Sequence, residues 1–208
     1  MNFFYPTWYQ LLDINQTIEK VMPQHLYKKE FIQTDAFEHQ RLFGEIVIAV
    51  QNNGKGLGDI IFYDVNNNPL GKLLTENEII HLQDVSNLVS SMNWISLALL
   101  ATCFFILALI IFYKLSMPPV NKIIIATMAI IVFLSLVIIL FGAKKFFYWL
   151  HTVVFPENHQ WFFYYEESLM TTLMKAPVLF APISVQLIFL GLVIWILQLW
   201  LLNRFYDN

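Results

Sequence analysis

Three long runs of uncharged, apolar residues dominate this sequence and limit what it can fold into. They cover residues 94–113, 123–141 and 178–202, and only Gln186 and Gln198 in the third are strongly polar. A helix of about 20 such residues crosses the hydrocarbon core of a bilayer. The composition agrees, because 58% of the residues are hydrophobic and 13% are charged, about half the charged share of a soluble protein. The sequence therefore predicts an integral membrane protein with three transmembrane helices.

The apolar runs divide the chain into seven consecutive parts. The predicted parts are an extramembrane segment (1–93), a transmembrane helix (94–113), a short linker (114–122), a transmembrane helix (123–141), an interfacial loop (142–177), a transmembrane helix (178–202) and a tail (203–208). Consecutive prolines in the linker force a turn, so the first two spans are predicted to be antiparallel. With three spans, the extramembrane segment and the interfacial loop lie on the same side of the membrane.

The N-terminal extramembrane segment carries patterns of both helices and strands. Apolar residues at helical spacing predict helices over 8–22 and 36–51. A turn-forming run at 66–69 lies between apolar residues at 60–63 and 70–74, which predicts a short hairpin. The predicted fold class is therefore an all-α membrane protein with an α+β extramembrane N-terminal segment.

One helix is predicted to lead from this segment into the first span. Thr75 and Glu78 have the spacing of a capping box, in which the hydroxyl and the carboxylate satisfy reciprocal backbone amides. The helix is expected to begin near Glu76 and to continue into the membrane, since no strong helix breaker precedes Trp94.

The return loop at 142–177 is rich in aromatic residues, which favour the headgroup layer of a bilayer. Several of its residues share one helical face, namely Phe147, Leu150, His151 and Val154. This pattern predicts an aromatic stretch that lies in the membrane interface.

His81 and His151 are the residues best suited to acid–base chemistry at a membrane surface. His81 precedes the first span and His151 follows the second, so both are predicted to lie on one side of the membrane. Imidazole titrates near neutral pH and often serves as a general acid or base. His81 and Asp84 share a helical face through three-residue spacing, so the Asp84 carboxylate is a candidate to orient the imidazole.

Each of these two histidines also has a simpler interpretation. His81 lies thirteen residues before Trp94, so a straight helix puts it about 20 Å beyond the hydrocarbon edge. An incidental histidine on a solvated helix explains that position as well. His151 is equally compatible with an ordinary residue of an aromatic interfacial belt.

The other histidines and the cysteine add no further site. His159 lies in a polar turn and is predicted to be at the surface, and His25 and His39 have no supporting neighbours in the sequence. No two histidines have close ligand spacing such as H-x-x-x-H, so neither a metal nor a cofactor is predicted. Cys103 lies within the first span, where cysteine is usually a small apolar filler. A net charge of −3 gives no indication of nucleic-acid binding.

The motifs around His81 and His151 resemble those of a known family. E-x-x-H-L-x-D-V precedes the first span, and F-x-x-x-H-x-x-x-F-x-x-x-x-x-W follows the second. This combination, in this order relative to the spans, is similar to the bacterial lipoprotein intramolecular transacylase family, Lit. The matching residues are His81, Leu82, Asp84, Val85, Phe147, His151, Phe155 and Trp161.

The resemblance implies an enzyme that moves the sn-2 acyl chain of a diacylglyceryl-modified lipoprotein onto the amine of its N-terminal cysteine. It implies His81 and His151 as catalytic residues, with Asp84 and Trp161 orienting or supporting them. The site would lie on the extracytoplasmic face of a bacterial cell membrane, with the lipoprotein and membrane lipids as partners. The resemblance also implies a further transmembrane helix ahead of the extramembrane segment.

Two other functions stay open from the sequence. A non-enzymatic membrane scaffold or accessory subunit would use the extramembrane segment to bind a partner protein. A lipid hydrolase would use a histidine-activated water and release free fatty acid. Within the transacylase hypothesis, the sequence leaves open which histidine is the base and whether an acyl-imidazole forms.

Overall fold

The computed structural model describes residues 3–115 and 118–206. Residues 1–2, 116–117 and 207–208, which belong to the predicted extramembrane segment, linker and tail, lie outside the described residues. The helices are α1 (Tyr5–Leu11), α2 (Ile14–Val21), α3 (Ala36–Gln51), α4 (Glu76–Phe112), α5 (Val120–Phe141), α6 (Ala143–Val154), α7 (Leu169–Met174) and α8 (Phe180–Tyr206). The strands are β1 (Ile61–Tyr63) and β2 (Pro69–Lys72). The chain is 72% helical, which confirms the predicted all-α class.

Three helices in the described part of the chain are long and apolar enough to cross a membrane. They cover Glu76–Tyr113, Val120–Phe141 and Phe180–Arg204. The first begins at Glu76 and continues past Trp94 as one helix, as the sequence predicted. Length and composition therefore support a membrane protein with three spanning helices.

The chain folds as two compact units. The first unit comprises Met1–Asn93 and Phe155–Ile183, and the second comprises Trp94–Val154 and Ser184–Asn208. The return loop is thus divided between the units, and its C-terminal part completes the core of the first.

The core of the first unit joins its N-terminal helices to α7. Tyr5 is 1% exposed and stacks on Phe43 with 3.9 Å between ring centroids. Its buried hydroxyl donates to the Leu173 carbonyl at 2.7 Å, which satisfies the polar end of an otherwise apolar side chain. Lys175 Nζ donates to the Leu12 carbonyl at 2.5 Å. These contacts connect the two ends of the unit's sequence.

The predicted single helix at 8–22 is wrong, because the chain turns between α1 and α2. Asp13 has a φ of 49°, in the left-handed region that Asp tolerates better than most residues. The turn lets Tyr9 of α1 and Ile14 and Ile18 of α2 all bury their side chains in one core.

The predicted hairpin is confirmed. Strands β1 and β2 pair in antiparallel register. Asp64 Oδ1 accepts hydrogen bonds from the backbone amides of Asn66 and Asn68, each at 2.8 Å, and so closes the turn.

The structure gives His25 and His39 partners that their sequence neighbourhoods do not indicate. His39 is 1% exposed, and its Nδ1 and Nε2 lie 2.6 and 2.7 Å from the hydroxyls of Tyr9 and Thr34. Burial lowers the pKa of His39 to about 4, so the ring is neutral at neutral pH. His25 is fully buried, and its Nδ1 accepts from the Lys28 amide at 3.1 Å. Both are core residues of the first unit.

Candidate active site

The first turn of α4 is fixed by a buried carboxylate. The backbone amide and the hydroxyl of Thr75 donate to Glu78 Oε2 at 2.6 and 2.8 Å. The carboxylate-to-amide half of the predicted capping box is therefore present. The box assigned the Thr75 hydroxyl as an acceptor, whereas in the structure it donates to the same carboxylate.

Glu78 also binds the return loop. Its Oε1 accepts from the Ser168 hydroxyl at 2.5 Å and from the Met170 amide at 3.4 Å. Ser168 in turn caps α7 by accepting from the Thr171 amide at 2.9 Å. Glu78 is only 1% exposed, and a buried carboxylate is costly unless it is hydrogen-bonded in this way. The carboxylate therefore joins the start of α4 to the start of α7.

His81 lies one turn after Glu78, beside two aromatic rings from the return loop. Its ring centroid is 5.1 Å from that of Phe155, in an edge-on arrangement, and 5.9 Å from that of Phe163. The ring is half-buried and its Nδ1 is fully buried. Neighbouring Leu82 is 5% exposed and anchors this face of α4 in the core.

Asp84 binds His159. Asp84 Oδ2 lies 2.6 Å from His159 Nδ1, and the two side chains are 14% and 32% exposed. An ionised carboxylate only accepts hydrogen bonds, so His159 Nδ1 is the donor in this contact. His159 was predicted as a surface residue, but it has a specific partner 75 positions earlier in the chain. The orienting role of Asp84 toward His81 stays a prediction.

A second polar contact lies beside this pair. Asn77 Nδ2 donates to Gln160 Oε1 at 2.9 Å. The His159 amide donates to the Pro156 carbonyl at 3.1 Å and closes the turn that presents both loop side chains. With the Glu78 contact, the N-terminal part of α4 therefore contacts the return loop through polar groups at three places, with aromatic packing at His81.

His151 lies on α6, in the second unit. Its Nδ1 is 2.8 Å from the Phe147 carbonyl, and the two rings are 3.9 Å apart. A carbonyl only accepts, so Nδ1 carries the proton and Nε2 holds the lone pair of the neutral ring. Burial lowers the pKa of His151 despite that hydrogen bond, so the ring is neutral at pH 7. The ring is thus in the form that a general base requires.

Trp161, the last of the predicted site residues, lies in the first unit, as do His81 and Asp84. Its ring is half-buried and packs edge-on against Phe162 at 6.1 Å. Its supporting role stays a prediction. Within residues 3–115 and 118–206, no group of three or more His, Cys, Asp or Glu side chains is arranged to hold a metal ion.

Comparison with known protein families gives a match over most of the chain. A family model described as lipoprotein intramolecular transacylase Lit matches residues 3–177. This range includes both motifs and every predicted site residue. No curated protein and no solved structure gives a significant match.

Proposed function

Because the chain belongs to the lipoprotein intramolecular transacylase family Lit, we propose that it moves the sn-2 acyl chain of a diacylglyceryl-modified lipoprotein onto the amine of the N-terminal cysteine. Family membership makes the protein an acyltransferase that acts on lipoproteins. The proposal specifies that the sn-2 ester bond breaks, that the amine of the N-terminal cysteine is acylated and that the product is a lyso-form lipoprotein. The observation that carries it is the family match across both motif histidines.

We assign the acid–base chemistry to His81 and His151. The neutral His151 ring, with Nδ1 bonded to the Phe147 carbonyl, supports its role as the base through Nε2. The half-buried position of His81 against Phe155 supports a role at the ester, because an aromatic wall keeps water from the polarised carbonyl. A positioned general acid or base contributes about 10²–10⁴-fold to a rate.

The proposed reaction needs little activation of the nucleophile. An N-terminal amine has a pKa of about 7.7–8.0, so a fraction is already neutral at neutral pH. The amine nitrogen attacks the ester carbonyl and gives one proton to the base as the C–N bond forms. The C–O bond to glycerol then breaks, and the glyceryl oxygen takes up one proton. Nucleophile and ester belong to the same substrate, so alignment of the two lowers the barrier further.

Mass spectrometry of the N-terminal peptide of a lipoprotein tests this function. The protein is expressed in a bacterial strain that lacks its own transacylase. Transfer leaves the total acyl mass unchanged and creates an N-acyl fragment. Loss of one acyl mass instead identifies a lipid hydrolase, and an unchanged peptide with confirmed expression supports the scaffold hypothesis.

We also propose a multi-pass arrangement with residues 1–93 and 142–177 on the extracytoplasmic face, and with residues 114–122 and the C-terminal tail (203–208) on the other. The number of spanning helices supports this arrangement, because parts of the chain separated by two spans lie on the same side and parts separated by one span lie on opposite sides. In a Cys103→Ser background, we expect Asn66→Cys to react with an impermeant thiol reagent on intact cells and Pro118→Cys to react only after lysis. Reaction of both positions from the same side would contradict this topology.

A further inference from the structure

His159 is absent from the motif residues that matched the family pattern, yet it forms a direct contact with one of them. We propose that His159, oriented by Asp84, is a third acid–base residue of the site and protonates the leaving glyceryl oxygen. This proposal rests on the proposed acyl transfer and adds a proton donor to it. It leaves His151 as the base for the amine and His81 as the group that polarises the ester carbonyl.

The contact between the two side chains supports this role. His159 Nδ1 lies 2.6 Å from Asp84 Oδ2, and hydrogen bonds to an ionised partner are shorter and stronger than neutral ones. A carboxylate on Nδ1 fixes the tautomer, leaves Nε2 to exchange protons and stabilises the imidazolium. The Asp84 side chain is 14% exposed, so water weakens this orientation less than at an open surface.

The position of His159 relative to His81 supports it further. Asp84 follows His81 by three residues on α4, so both side chains lie on one helical face. His159 lies in the loop between Phe155 and Phe163, and the rings of both contact His81. One face of α4 and one loop thus form a cluster within the first unit.

In the proposed reaction, one proton leaves the amine and one proton is added to the glyceryl oxygen. His151 takes one proton from the amine as the C–N bond forms. His159 starts this step as the imidazolium and gives the proton on Nε2 to the glyceryl oxygen as the C–O bond breaks, which leaves the neutral ring with its proton on Nδ1. The two rings then return to their starting protonation states by exchange with solvent, so the overall reaction neither consumes nor releases a proton.

The substitution His159→Asn separates acid–base chemistry from positioning. The Asn side-chain amide retains a donor near the place of Nδ1 and can bond to Asp84, but it does not titrate. We expect His159→Asn and His159→Ala each to lower kcat by about 10²-fold or more, with KM little changed. The assay uses purified protein in liposomes and a diacylglyceryl lipopeptide as substrate.

Asn77→Ala is the matched control, because it removes the neighbouring contact to Gln160 and no titratable group. We expect this variant to keep nearly the kcat of the unmodified protein. In the pH profile of kcat, the unmodified protein and Asn77→Ala should share one ionisation that His159→Asn lacks. Added imidazole should partly restore His159→Gly.

Two results would overturn the proposal on its own. The first is full kcat in His159→Asn, which would mean that the imidazole transfers no proton. The second is an equal loss of kcat in His159→Asn and Asn77→Ala, which would mean that the contact between His159 and Asp84 only holds the loop in place. In each case transfer by the unmodified protein still establishes the proposed function. If the unmodified protein gives no acyl product at all, the proposed function and the role of His159 are both wrong.

Discussion

His81→Ala and His151→Ala are each expected to lower acyl transfer by about 10²–10⁴-fold without preventing membrane insertion. His151→Ala removes the proposed proton acceptor for the amine, and His81→Ala removes the group proposed to polarise the ester carbonyl. Neither substitution removes a fully buried side chain, because both rings are half-buried, so the fold should survive. The rate of N-acyl peptide formation by mass spectrometry measures the loss, and the amount of protein in the membrane fraction measures insertion.

Thr152→Ala is a suitable control for His151, since Thr152 is its exposed neighbour on α6. We expect transfer close to that of the unmodified protein. Full activity in either histidine variant would show that the motif histidine concerned has no role in the chemistry. Loss of both activity and membrane-inserted protein would instead assign a structural role.

Glu78→Ala should be among the most destabilising single changes in the first unit. It leaves the Thr75 and Met170 amides and the Ser168 hydroxyl without their shared acceptor. Each buried donor without a partner costs about 1–3 kcal/mol, so we expect a loss of about 2–4 kcal/mol after partial rehydration. Thermal unfolding in detergent measures the loss, and limited proteolysis should detect earlier cleavage within 155–168.

Glu76→Ala controls for the loss of negative charge in the first turn of α4. Glu76 is exposed, and its removal should cost only the weak interaction with the helix dipole, less than about 1 kcal/mol. Glu78→Gln should fall between the two, because its carbonyl oxygen still accepts while its amide faces donors. Equal stability of Glu78→Ala and Glu76→Ala would mean that the buried carboxylate does not hold the loop.

The spans, helix α3, the hairpin and the start of α4 were all predictable from the sequence. Their signals are local, because apolar length, helical spacing and turn residues lie within the element that they predict. The family resemblance came from the same kind of signal, two short motifs placed relative to the spans. The sequence also identified Glu78, but only as part of the capping box of α4 and not as a partner of the return loop.

Contacts between distant parts of the chain were not predictable in this way. The bond from Glu78 to Ser168 and the bond from Asp84 to His159 join residues 90 and 75 positions apart. Single-sequence periodicity carries no information about such pairs. The burial of His39 was missed for the same reason, since one of its two hydroxyl partners, Tyr9, comes from another helix.

The division of the first unit into two stretches of sequence has a consequence for synthesis of the protein. Residues Leu169, Leu173 and Leu179 are at most 1% exposed in its core, yet they follow two apolar helices in the chain. A ribosome adding about 5–20 residues per second takes roughly 5–20 s to extend the chain from residue 94 to residue 183. During that interval the first 93 residues lack part of their core and expose apolar surface. Chaperones and proteases that meet the nascent chain therefore encounter an unfinished unit.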